Sequence, residues 1–468
     1  MSPSPSSQPG SHVFAPRATR RDILRVGGLG CLGLSLPQLL KAEATAGSKP
    51  RAKSIVFFHH YGAPSHIDTF DPKPNAPLDI RGEFSTIDSA VPGWRVTDVM
   101  PRIASICDRL SVVRSMSHTT ANHNPGVYLS LTGRTSVRDQ VQVGASPDDW
   151  PHYGAVVAKY APSDGSIPTS VQIPHYAYDQ IYRCPGQNGG LLGSAYDPLI
   201  ITRDPSDPQF RVTEIDLRVT ANQLQDRRQL LSTLEHQTLH LDKSAALPQP
   251  NDKWNDFREQ AYSLITSPKT RQAFEIWREP DVLRLKYGRT KTGQSLLLAR
   301  RLVESGVRFI TVFSGSNPGD GWDTHVNNFG QMKNKLMPEE DQAFAAFIED
   351  MDARGLLEDT LVVWSGEFGR KPQIGRPNPL VNLVGPGGRD HWSRCYSLVF
   401  AGAGVKRGFV YSDSDLIGEN PKGNPHTPGD VAATLFWALG IDPHQHYQDR
   451  QGRPFALADG EPIQGIFS

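Results

Sequence analysis

"GQSLLLARRLVESGVRFITVFSG" (Gly293–Gly315) decides the fold. Its first half sets apolar residues at helical spacing beside Arg300 and Arg301, and Gly306 ends it. Its second half, from Val307 to Ser314, is a run of β-formers closed by Gly315. A helix that feeds directly into a buried strand is half of a βαβ unit, whose strands run parallel under covering helices.

The same alternation extends in both directions. "KSIVFFHHYG" (Lys53–Gly62), "SVVRSM" (Ser111–Met116), "SVQIP" (Ser170–Pro174), "TLVVWSGEFG" (Thr360–Gly369) and "YSLVFAGAG" (Tyr396–Gly404) read as strands. "DVMPRIASICDRL" (Asp98–Leu110) and "TPGDVAATLFWALG" (Thr427–Gly440) read as helices, as does Asn328–Leu357, with Pro338 inside it. From about Glu214 to Tyr287 the chain is polar with helical spacing, which predicts a helical insertion. The expected architecture is one doubly wound, mainly parallel α/β domain over residues 47–468, with helices on both faces.

Composition agrees with a soluble globular chain: 38% of the 468 residues are hydrophobic and 21% charged. Lys plus Arg and Asp plus Glu balance at 49 each, so no basic stripe predicts nucleic-acid binding. Residues 1–46 are set apart. Arg20-Arg21 precede the uncharged, Gly-rich stretch Val26–Leu40 and the small-residue segment Ala42–Ala46. That pattern predicts a signal for the twin-arginine export machinery and a periplasmic or extracellular location. The stretch falls short of the roughly 20 residues of a stable membrane span. Beyond it only Cys107, Cys184 and Cys395 remain, with no Cys-x-x-Cys pair and no disulfide framework.

Chemistry gathers after the strands, where parallel α/β folds place their ligands. His59, His60, His66 and Asp68 follow the first strand, and His118 and His123 the second. "GWDTH" supplies Asp323 and His325, "SGEFGR" supplies Glu367, and "GGRDHW" supplies Asp390 and His391. Mixed carboxylates and imidazoles suit one or two divalent metal ions, with zinc, manganese and calcium all open. Three or more carboxylates with histidine suit a two-metal hydrolytic centre. Arg370 and Arg389 lie beside these ligands and could grip a sulfate or phosphate. The Gly-rich "YRCPGQNGGLLGSAYDP" (Tyr182–Pro198) is either a substrate-facing loop or a tight turn.

"YGAPSHIDTFDPKP", "RGEF", "SLTGR", "DDWPHYG", "GWDTH", "GEFGR", "GRDHW" and "ATLFWALGIDP", in this order, resemble the domain-of-unknown-function 1501 family, from about Ser54 to Gly465. The resemblance implies an alkaline-phosphatase-like core, twin-arginine export and a sulfatase- or phosphatase-like hydrolase. Its substrate would be a small anionic ester or a sulfated or phosphorylated glycan. "HNPGVYLSLTGR" (His123–Arg134) is similar to the sulfatase segment that begins with the modified nucleophile and ends in Leu-Thr-Gly-Arg. His123 occupies the nucleophile position, and Arg134 the position that supports its turn. Formylglycine is made from Cys or Ser, not His, so the chain departs from the sulfatase pattern here. The first-strand aspartate of the superfamily is also absent from "FFHHYG". Three roles stay open for His123: nucleophile, metal ligand or acid/base, and structural imidazole. The alternative to a hydrolase is a non-catalytic cell-envelope binding protein that retains the fold.

Overall fold

The structure, a computed structural model, describes residues 50–136, 143–215, 219–241, 252–315, 321–375, 385–449 and 451–468. The segment read as an export signal lies outside them.

Runs of β-formers build an eight-stranded sheet: β1 Ser54–His60, β2 Ser111–Met116, β3 Ser170–Ile173, β4 Leu199–Ile200, β5 Phe309–Ser314, β6 Thr360–Gly366, β7 Tyr396–Ala401 and β8 Phe409–Tyr411. Their order is β8-β2-β7-β6-β1-β5-β3-β4. Only β7 runs antiparallel to its neighbours. The central strands β1, β5 and β6 are buried along their whole length, as parallel strands covered on both faces must be.

The principal helices are α1 Pro101–Ile106, α2 His123–Thr132, α3 Tyr153–Tyr160, α4 Ala221–Leu241, α5 Asp252–Thr266, α6 Lys291–Glu304, α7 Met337–Ala353 and α8 Pro428–Ala438. Alternation along β1 separates two cores. Val56 and Phe58 pack with Ile103 of α1, Leu298 of α6 and Phe344 of α7. Ile55 and Phe57 pack with Val127 of α2, Val157 of α3 and Phe436 of α8. Each such fully buried side chain contributes roughly 1.5–3 kcal/mol. The same alternation sends His59 toward α2 and His60 toward α7.

Thr290 caps α6 by accepting from the Gly293 amide, and Gly306, at φ +93°, turns the chain into β5. The stretch around Pro338 is not one continuous helix. A turn at Asn328–Gln331 passes into a π-helical turn at Met332–Leu336, and α7 then starts with Pro338 in its first turn, where a missing N–H is tolerated. Between β4 and α6 the described residues include the helices α4 and α5, and α4 exposes Leu230, Leu231 and Leu234. Among the described residues no helix is long and apolar enough to cross a membrane.

In register, His60 of β1 stands beside Ser314 of β5 and Gly366 of β6. The carboxyl ends of the three central strands are therefore level.

Candidate metal centre

Four side chains meet beyond those strand ends: His123, Asp323, His325 and His391. His123 is the first residue of α2. Asp323 and His325 lie in the segment after β5, which is clamped in place. Trp322 N–H donates to the Tyr61 carbonyl at 2.7 Å, and Arg389 N–H to the Thr324 carbonyl at 3.1 Å. His391 comes from a short strand, His391–Trp392, paired antiparallel with Gly369–Arg370 so that His391 faces Arg370.

The focus is one oxygen. Asp323 Oδ1 lies 3.2 Å from His123 Nε2, 3.1 Å from His325 Nε2 and 3.2 Å from His391 Nε2. The four candidate ligand atoms all fall within 4.8 Å of one another. Zinc–nitrogen bonds of about 2.0–2.1 Å in a tetrahedron put ligand atoms about 3.3 Å apart. The contacts to Asp323 match that edge.

The imidazoles are set for metal. His391 Nδ1 faces the Ala121 carbonyl at 2.7 Å, so it carries the proton and leaves Nε2 a lone pair. His123 Nδ1 faces Glu367 Oε1 at 2.7 Å, and the Gly62 N–H donates to that same oxygen at 2.8 Å. His123 Nε2 is buried without a hydrogen-bond partner. A nitrogen so placed fits an ion that the surrounding groups would hold.

The charges are strongly coupled. Burial alone would raise Asp323, but the three imidazoles facing it and the charge of Arg370 outweigh it and hold the carboxyl far below the usual carboxylate range. Burial lowers His123, yet the Asp323 and Glu367 carboxylates facing its two nitrogens win and push it up to about 9. Burial also dominates His391, which falls to about 4.

The remaining expected residues stand around this centre or away from it. Glu367 lies behind His123, and Asp390 Oδ1 is 3.6 Å from His325 Nδ1, beyond hydrogen-bond length. His118 Nε2 donates to the Glu367 carbonyl at 2.7 Å. His59 bonds Ser130 Oγ at 2.8 Å, and His60 bonds Glu340 Oε1 at 2.8 Å.

Asp68 and His66, expected as further ligands, do not join the cluster. Asp68 is fully buried against Arg389, with contacts of 2.6 and 3.0 Å, and accepts from Asn328 at 2.9 Å. His66 Nε2 bonds the Gly418 carbonyl at 2.7 Å. Arg134 follows Gly133, the left-handed cap of α2. It pairs with Asp459 and the Ala456 carbonyl and stacks over Trp150 at 4.7 Å. Both arginines read as anion grips are engaged within the protein. Arg370 binds the Ala63 and Gly62 carbonyls and Asp323, while Arg389 holds Asp68. Tyr61, whose ring lies 5.2 Å from that of His123, carried no sequence signal.

The chain is similar to several solved structures. PsFucS1 sulfatase from Pseudoalteromonas sp. is 13% identical, over 87% of this chain and 70% of that one, with a TM-score of 0.34. The lipoteichoic acid synthase LtaP from Listeria monocytogenes is 10% identical, over 85% and 74%, at 0.35. Phosphonate monoester hydrolase SpPMH from Silicibacter pomeroyi is 10% identical, over 88% and 76%, at 0.36. No curated protein matches the chain in sequence. The family model described as "Protein of unknown function (DUF1501)" matches residues 52–467, and the chain belongs to that family.

Proposed function

We propose that this chain is an exported, metal-dependent hydrolase of a sulfate or phosphate ester, with His123, Asp323, His325 and His391 holding one ion. The convergence of three imidazole Nε2 atoms on Asp323 Oδ1 at 3.1–3.2 Å carries the reading. Three nitrogens and one oxygen favour zinc or another first-row transition ion over calcium, which takes oxygen ligands. Bound there, the ion supplies Lewis acidity toward the ester's oxygens.

The protein's own groups prepare that site. Glu367 fixes the ring of His123 through Nδ1, and Arg370 keeps Asp323 charged. Phe368 stacks 5.3 Å from His123 and 4.7 Å from His391, limiting water on that side. With one His123 nitrogen on Glu367 and the other facing Asp323, His123 serves as a ligand rather than as a covalent nucleophile. Hydrolysis then proceeds by direct attack of water. The ester class rests on the resemblance of His123–Arg134 to the sulfatase segment, and export on Arg20-Arg21 and Val26–Leu40.

The test is a panel of aryl sulfate and phosphate esters offered to the protein before and after chelation. Turnover lost on chelation and restored by zinc or manganese supports the reading. A folded, metal-loaded protein that hydrolyses none of them makes the binding-protein alternative the better account.

A further inference from the structure

A metal ligand is steadied by what bonds it from behind. Three of the four candidate ligands have such support. Glu367 holds the far nitrogen of His123, the Ala121 carbonyl holds that of His391, and Arg370 grips Asp323. His325 is the exception. Its Nε2 lies 3.1 Å from Asp323 Oδ1 and 2.9 Å from His391 Nε2, so that edge of the ring belongs to the cluster. Its other nitrogen, Nδ1, is buried and has no hydrogen-bond partner among the described residues. A neutral imidazole that gives Nε2 to an ion carries its one ring proton on Nδ1. A buried N–H with no acceptor would cost the site affinity.

The Asp390 carboxylate faces that nitrogen, with Oδ1 3.6 Å from His325 Nδ1. Backbone contacts fix the two segments against each other. Arg389 N–H donates to the Thr324 carbonyl at 3.1 Å and Gly385 N–H to the His325 carbonyl at 2.9 Å. Gly388 passes so close to the His325 carbonyl that a Cβ there would not fit. Asp390 is itself anchored. Its carbonyl accepts from Lys371 N–H at 2.7 Å, and its Oδ1 from His391 N–H at 2.8 Å. The side chain is 46% exposed and free to turn, and about 0.8 Å of approach would complete a charge-assisted bond to His325. We propose that Asp390 is a positioning residue of the metal centre, whose carboxylate accepts the Nδ1 proton of His325 and so aims Nε2 at the ion. This rests on the four-ligand reading above. The adjacent pair Asp390-His391 then serves one ion twice, His391 as a ligand and Asp390 through His325.

The test uses zinc as the probe. Competition with a chromogenic chelator gives its affinity, and NMR of the zinc-loaded protein labelled with 15N-histidine gives the state of His325. In the wild type the His325 Nδ1 proton should resonate at low field and exchange slowly with water, as an N–H bonded to a carboxylate does. Asp390→Asn keeps an oxygen for the His391 N–H but loses the charge. In that variant the resonance should move upfield and zinc should bind roughly 10-fold more weakly, with the Tm of the chelated protein unchanged. Asp390→Glu should recover most of both. Should the Asn form not fold, the wild-type resonance decides alone. A wild-type proton at ordinary field overturns the role of Asp390 while the four-ligand centre stands. So does an unchanged affinity in Asp390→Asn, or a weaker one with the resonance in its wild-type place. A wild type that binds no zinc overturns both.

Discussion

Arg370 Nη2 lies 2.6 Å from Asp323 Oδ1, the oxygen that three histidine Nε2 atoms also face. A fully buried guanidinium, held by the carbonyls of Gly62 and Ala63, thus fixes the one anionic ligand of the centre. Arg370→Lys keeps the charge but loses the planar fork that reaches those carbonyls and Asp323 together. Metal affinity, measured by competition with a chromogenic chelator, should weaken roughly 10–100-fold. An unchanged affinity would remove Arg370 from the account.

Glu367 tests the support from the other side. Its Oε1 accepts from both His123 Nδ1 and the Gly62 amide. Glu367→Gln keeps the shape but weakens the bond that orients the ring. A loss of about 10-fold or more in metal affinity, with Tm nearly unchanged, is the expected result.

Gly62 sits against the backbone of the segment that carries Asp323. Its φ is +99°, and a Cβ there would lie 2.3 Å from Asp323 N. Gly62→Ala should therefore destabilise by at least about 2 kcal/mol, seen as a lower Tm, and should displace Asp323 enough to empty the site.

Two buried imidazoles outside the four candidate ligands set an acid limit on stability. Burial first, then His59, holds His152 down at about 3, and burial holds His59 at about 4 against the raising influence of Glu367. Unfolded histidine titrates near 6.5, so below that pH the unfolded chain binds more protons than the folded one. The stability these neutral rings allow is complete above pH 6.5. It is lost as pH falls toward 4 and 3, by roughly 2 kcal/mol per ring between pH 6.5 and 5. Urea unfolding at several pH values measures the slope. His152 Nδ1 accepts from the Gly154 amide at the start of α3. His152→Asn keeps a capping acceptor there and should flatten the slope.

The fold was legible wherever a strand was long enough to show a run of β-formers. The edge strands β4 and β8, of two and three residues, were too short to carry such a signal. The reversed direction of β7 left no local mark, because strand direction is set by how the chain connects, not by side-chain pattern. His123, Asp323, His325 and His391 were readable because each stands just beyond a strand or in a polar motif beside one. Asp68 looked the same in sequence, and its partner Arg389 lies 321 residues away. A carboxylate after a strand reads alike whether it meets an arginine or an ion. Tyr61 gave no pattern at all, since its place beside His123 comes from packing between distant segments.

The central claim is that His123, Asp323, His325 and His391 hold one ion. Elemental analysis of protein purified without chelator, joined to X-ray absorption of the bound metal, tests it most directly. One first-row transition ion per chain is expected, with scattering from three imidazole rings, and its loss in Asp323→Ala. A metal-free folded wild type, or a metal that Asp323→Ala retains in full, would contradict it.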